Sequence, residues 1–113
     1  MIKLNNDSTG VIFNGMNSQE IIARLREHEN ELHRQGVIHL ALFGSVARGD
    51  ARPDSDIDIL IDLDPAAHLS MFDYVDIKEY IAGLFETPVD VVNRDGLKPY
   101  IRPAALTNLV YAF

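Results

Sequence analysis

The chain has 113 residues, 47% of them hydrophobic and 24% charged, with a formal charge of -7 and no cysteine. That composition describes one soluble globular domain able to build a core, and it excludes a multidomain enzyme, a disulfide scaffold, a Cys-ligated metal site and a thiol nucleophile. Seventeen acidic against ten basic residues argue against a broad basic face for long DNA or RNA, but not against a local phosphate site made from backbone N–H groups, one Arg and metal ions.

Residues 1 to 16 read as a loosely structured leader, with a short strand expected at Gly10 to Phe13 and the folded domain over residues 17–113. Lys3, Asn5, Asn6, Asp7 and Ser8 interrupt the apolar residues, so no signal-peptide core forms, and no run of 18 apolar residues spans a membrane. The cytoplasm is the expected location. Asn17 and Glu20 have capping-box spacing, and Ile21, Leu25 and Leu32 repeat on one face up to Gly36. This predicts one helix over Ser18 to Gln35, with Arg24, Arg26, Glu27, Glu29 and Arg34 on a solvated face. Val37 to Phe43 is an apolar run of β-forming residues, the pattern of a buried strand, and a short helix over Val46 to Gly49 is expected after Gly44-Ser45.

Asp50 to Ser55 carries turn chemistry, and Asp56 to Leu63 then alternates with period two. Ile57, Ile59, Ile61 and Leu63 take one face; Asp56, Asp58, Leu60 and Asp62 take the other. Beyond Pro65, Ser70 to Phe85 returns to helical period with Met71, Tyr74, Ile77, Ile81 and Leu84 as the expected core stripe; Phe72, Tyr74 and Tyr80 read as core or edge residues, with a partner-binding patch as the alternative. Pro88 opens a short strand, Val89 to Val92. After the Arg94-Asp95-Gly96 turn, Leu97 to Asn108 is expected as a helix, with Pro99 and Pro103 at first-turn positions.

The chemistry-bearing residues gather around the alternating strand. Carboxylates at i and i+2 point to one side with Cα atoms roughly 6.5–7 Å apart. Two such charges about 4 Å apart repel by roughly 4 kcal/mol at an effective dielectric near 20. A hard cation such as Mg²⁺ between Asp56 and Asp58 removes that cost, although an isolated pair of this spacing more often just solvates an exposed sheet face. Asp90, inside the apolar strand Val89 to Val92, is out of place by β propensity. A helical crossover from Leu63 to Val89 lets the two strands lie side by side, so Asp90 can join the pair. Three carboxylates can hold two divalent ions. Asp62 and Asp64 lie past the site and read as solvated acids. At Gly44-Ser45 a strand ends and a helix begins, where glycine lets a phosphate approach the backbone and Ser adds a donor. No P-loop or G-x-G-x-x-G is present, and His28, His33, His39 and His68 have no metal-binding spacing.

Gly44-Ser45-Val46-Ala47-Arg48-Gly49, five residues, then Ser55-Asp56-Ile57-Asp58-Ile59-Leu60 resembles the G-S-x-A-R-G-x5-S-D-x-D-[LI] motif of the DNA polymerase β-like nucleotidyltransferases. The nearest branch is the minimal nucleotidyltransferases that act as antitoxins beside HEPN-domain toxins. The likeness runs from about Ser18 to Val110 and includes Val89-Asp90-Val91-Val92 and the Leu97-Lys98-Pro99-Tyr100-Ile101 tail. The resemblance implies an α+β fold, a small mixed sheet with helices packed on one face. It further implies that Asp56 and Asp58 bind two Mg²⁺ ions, with Mn²⁺ as the substitute, and that Asp90 ligates the catalytic ion and assists deprotonation of the acceptor. Gly44 and Ser45 would hold the β and γ phosphates of ATP. Arg48 would contact phosphate or brace the loop, and Ser55 would orient the turn or bind the nucleotide. Lys98 and Tyr100 line the nucleotide or partner surface, or pack the tail on the sheet.

A domain this small has little room for an acceptor site, so the acceptor is expected on another chain in a hetero-oligomer. The leading expectation is transfer of AMP to a hydroxyl, that of a tyrosine, on a HEPN ribonuclease toxin encoded next to it, with release of pyrophosphate. The alternatives are a non-catalytic module that masks its toxin and a stand-alone transferase with another acceptor.

Overall fold

The computed structural model describes residues 17–49, 55–96 and 108–113. Four strands form a mixed sheet in the order β3-β2-β1-β4: β1 (Val37–Phe43), β2 (Ile57–Leu63), β3 (Val89–Asn93) and β4 (Val110–Tyr111). β1 runs antiparallel to both β2 and β4, whereas β2 and β3 are parallel. A parallel pair needs a crossover, and the helix α4 (Met71–Ala82) lies in that connection. Among the described residues the remaining α-helices are α1 (Ser18–Glu27), α2 (Glu29–Arg34) and α3 (Gly44–Arg48).

The period-two reading of β2 holds. Ile57, Ile59 and Ile61 join Leu40, Leu42 and Val91 in one apolar layer. Ile21, Leu25 and Leu32 of α1 and α2 and Ile77 and Ile81 of α4 pack on it, all nearly inaccessible to solvent. The core therefore lies between the helices and one face of the sheet. On the other face, Ala41 and Leu60 face each other across β1 and β2 and are also buried.

Several expectations change. The first helix is two helices, because His28 leaves helical geometry (φ -108, ψ 12) and ends α1 while starting α2. There its ring Nδ1 meets the Tyr80 hydroxyl of α4 at 2.8 Å, a tertiary bond that hydrophobic period does not encode. The capping box of Asn17 and Glu20 forms as expected. Arg24 and Arg26 are more than a solvated face, since they donate to the Leu84 and Ala112 carbonyls. Met71 and Phe72 stand in solvent: Met71 opens the helix, and Phe72 lies on the side of α4 away from Ile77 and Ile81. Tyr74, Tyr80 and Leu84 are half-buried against the core. β4 was not expected at all. The leader, residues 50–54 of the expected turn, and residues 97–107 of the helix expected over Leu97 to Asn108, with Lys98 and Tyr100, lie outside the described residues.

Candidate active site

Asp58 is the centre of the site. Its Cα pairs antiparallel with Phe43, the last residue of β1, and in parallel with Asp90 of β3. Facing residues on adjacent strands share a face, so Asp58 and Asp90 project together from the side of the sheet that the helices leave open. The register is fixed from both ends: Ile57 donates its N–H to the Pro88 carbonyl at 3.0 Å, and Val91 seats in the core opposite Ile59. A slip of one residue would send Asp90 into the apolar layer. Asp56, two residues before Asp58, lies exposed at the mouth of the strand, next to half-buried Ser55.

The other wall comes from β1 and α3. Phe43 is extended (φ -141, ψ -177), and Gly44 then turns the chain with φ +73. A methyl group at Gly44 would overlap the Asp58 Oδ2 and come within 3.1 Å of its Cγ. Only glycine suits both that φ and that approach. Ser45 and Arg48 follow in α3, Ser45 half-buried and Arg48 exposed, and Gly49 closes the helix in the left-handed region at φ +83.

Electrostatics tie these parts together. Burial pushes the Asp58 carboxyl above its ordinary range, the negative charges of Asp90 and then Asp56 push it further, and Arg48 pulls it back. These are the signs expected where like charges meet and water is partly withdrawn. The donors are oxygens only, the chemistry a hard divalent cation prefers, and Gly44 keeps one side of Asp58 clear; the residues present fit such an ion. Among the described residues no three His, Asp or Glu side chains already close around a single point, so the acids form an open cluster.

Asp62 and Asp64 are not free solvated acids. Asp62 pairs with Arg94 Nε at 2.6 Å, and Arg94 also donates to the Tyr111 hydroxyl at 2.7 Å. Asp64 accepts from the Ala66 N–H and starts the 3₁₀ turn Pro65–Ala67. The sequence signal for the Arg94 network was present in part: Asp62 continues the acidic face of β2. Its partners, a turn arginine and a tyrosine in a strand that was not foreseen, gave no pattern. Three of the four histidines make protein contacts: His28 with Tyr80, His33 with Val37 and Glu29, and His39 edge-on to Tyr111.

The family model for the nucleotidyltransferase domain matches residues 22–112. The chain belongs to the nucleotidyltransferase domain family. Among curated relatives this nucleotidyltransferase is 37% identical over 94 residues to the protein adenylyltransferase MntA of Thermococcus cleftensis, covering 82% of this chain and 93% of that one. A solved minimal nucleotidyltransferase is 33% identical with a TM-score of 0.70, covering 84% of this chain and 95% of the other. The same fold occurs in the complex of a tri-AMPylated Shewanella oneidensis HEPN toxin with its MNT antitoxin, at 17% identity and TM-score 0.59, covering 84% and 71% of the two chains. Within the described residues, no helix is long and apolar enough to cross a membrane.

Proposed function

We propose that this nucleotidyltransferase moves AMP from ATP to a hydroxyl, that of a tyrosine, on a HEPN ribonuclease toxin encoded beside it, and so silences the toxin in the cytoplasm. The observation that carries the reading is the pairing of Asp58 with Asp90 on the open face, with the Gly44 main chain against the Asp58 carboxylate. The names of the similar proteins point to AMP as the group transferred and to a HEPN toxin as the acceptor.

In this reading Asp56, Asp58 and Asp90 hold Mg²⁺, or Mn²⁺ in its place, which when bound neutralises triphosphate charge and polarises the acceptor oxygen. Gly44 and Ser45 offer main-chain N–H groups and a hydroxyl to the β and γ phosphates, Arg48 adds positive charge, and Ser55 orients the turn that carries Asp56. The acceptor oxygen attacks the α phosphorus, the bond from that phosphorus to the bridging oxygen breaks, and pyrophosphate leaves. Asp90, beside Asp58 on the neighbouring strand, takes the hydroxyl proton. Catalysis comes from positioning and from charge already in place.

The test mixes the protein with ATP labelled at the α phosphate, Mg²⁺ and the toxin. Label is expected on the toxin, falling about 100-fold or more with Asp56→Ala or Asp58→Ala and sharply with Asp90→Ala. An unlabelled toxin with the intact enzyme sinks the reading. Full neutralisation of the toxin in cells by the Asp56→Ala, Asp58→Ala double variant would assign masking instead.

A further inference from the structure

Helix α4 is apolar on two sides. Tyr74, Ile77 and Ile81 face the core, yet Met71 is 79% exposed, Phe72 83% and Val75 43%. Met71 and Val75 are four residues apart, Phe72 and Val75 three, so these side chains form one ridge on the first two turns. Asp76 and Glu79 continue along it, and among the described residues neither makes a side-chain hydrogen bond or ion pair. The helix's one lysine, Lys78, is folded back onto the Tyr74 ring, 5.2 Å from its centroid. Beside the ridge opens a cavity of about 520 Å³ whose wall includes Asp73, Asp76, Tyr80 and Gln35. Arg34 also lines it, but its guanidinium is paired with Glu31 and not with Asp76 or Asp73, which leaves the acids in excess there.

We propose that the Met71, Phe72 and Val75 ridge and the acidic cavity beside it dock the protein acceptor, through an apolar patch on that protein bordered by an Arg or Lys that enters the cavity. The inference rests on the proposed function for the existence of a protein acceptor, and adds where it is held. Clustered aromatic and aliphatic side chains in solvent mark a binding surface, and an anchor next to a pocket is the usual form of an interface hot spot. Charge selects the occupant. A second copy would bring Asp76 and Glu79 toward their own duplicates on a chain of charge -7, whereas a basic border is attracted and steered.

The ridge lies at the end of the sheet where Val37 meets Leu63, near Gly36 and Leu69, while Asp58 faces Phe43 at the other end. Six strand residues of rise separate these ends, roughly 20 Å. A docked partner therefore spans the domain, and the ridge touches no reacting atom.

The probe is the HEPN-domain protein from the neighbouring gene, titrated calorimetrically without ATP onto wild type, Phe72→Ser and Asp76→Lys, followed by transfer rates against its concentration. Both variants should raise Kd and the acceptor KM about tenfold or more while kcat and Tm stay at wild-type values. Unchanged Kd in both, or a wild type that does not bind, overturns the docking site. Equal labelling in all three at equal Kd refutes docking and leaves AMP transfer standing; binding lost in the variants with no label anywhere does the reverse. A wild-type dimer in sedimentation that Phe72→Ser dissociates would give the ridge to a second copy and overturn the proposal.

Discussion

At position 44 two demands meet that are separable by experiment. Gly44 and Gly49 both have φ in the left-handed region, but a methyl group meets the Asp58 carboxylate at Gly44 and nothing within 4 Å at Gly49. Gly49→Ala should therefore cost only the backbone strain, about 1–2 kcal/mol, and leave transfer intact. Gly44→Ala carries the same strain plus the displacement of Asp58. It should lose about 2–3 kcal/mol in thermal denaturation and most of the transfer activity. In the proposed reading Asp58 trades stability for function. Its folded carboxyl titrates above the unfolded one, so the folded state holds the proton more tightly. Its contribution is present at acid pH and lost as pH rises through that window. Asp58→Asn should unfold at a higher temperature than wild type near neutral pH without divalent ions, by about 1 kcal/mol or less after solvent screening, while being inactive. Added Mg²⁺ should raise the Tm of wild type and not of this variant.

Among the elements, α4 shows how local chemistry and tertiary contact divide the work. Ser70 and Asp73 cap each other's main-chain N–H groups, with Ser70 Oγ accepting from Asp73 N at 3.1 Å and Asp73 Oδ2 from Ser70 N at 2.9 Å. Those bonds hold the Asp73 carboxyl below its usual range, so this support exists at neutral pH and fades as acid protonates it. Ser70→Ala should cost about 1 kcal/mol in urea denaturation. The helix was legible in the sequence because period and length agree, as were β1 and β2, whose runs are long and consistent. Of the expected stripe Met71 alone stands fully in solvent, because one-dimensional period cannot tell where along a helix the packing against the core begins. The break at His28 was illegible for a related reason: it coincides with a bond to Tyr80, 52 positions along the chain.

For the molecule as a whole, the parallel pairing of β2 and β3 was inferable from the crossover length, and with it the meeting of Asp58 and Asp90. The far side of the sheet was not. β4 has only two residues, too few for any period, and its place beside β1 depends on distant partners. One network reaches across all of this: Arg94, just after β3, bonds Asp62 on β2 and Tyr111 on β4, passing over β1. Asp62 and Arg94 are largely shielded from solvent. Arg94→Gln should cost about 1–3 kcal/mol in equilibrium unfolding, because it leaves a shielded carboxylate without its cation. Tyr111→Phe, which removes one bond, should cost about 1 kcal/mol.

The contact between Gly44 and Asp58 also has a consequence for how such a chain can drift. The steric part of the penalty at 44 exists only while 58 carries its carboxylate. Combined with Asp58→Gly, Gly44→Ala should cost less than it does alone, leaving mainly the φ penalty, a non-additivity that a double-mutant cycle reads directly. In descendants that abandon catalysis, the acid is then free to go first and the glycine only afterwards, so the order of decay at these two positions would record when the chemistry was lost.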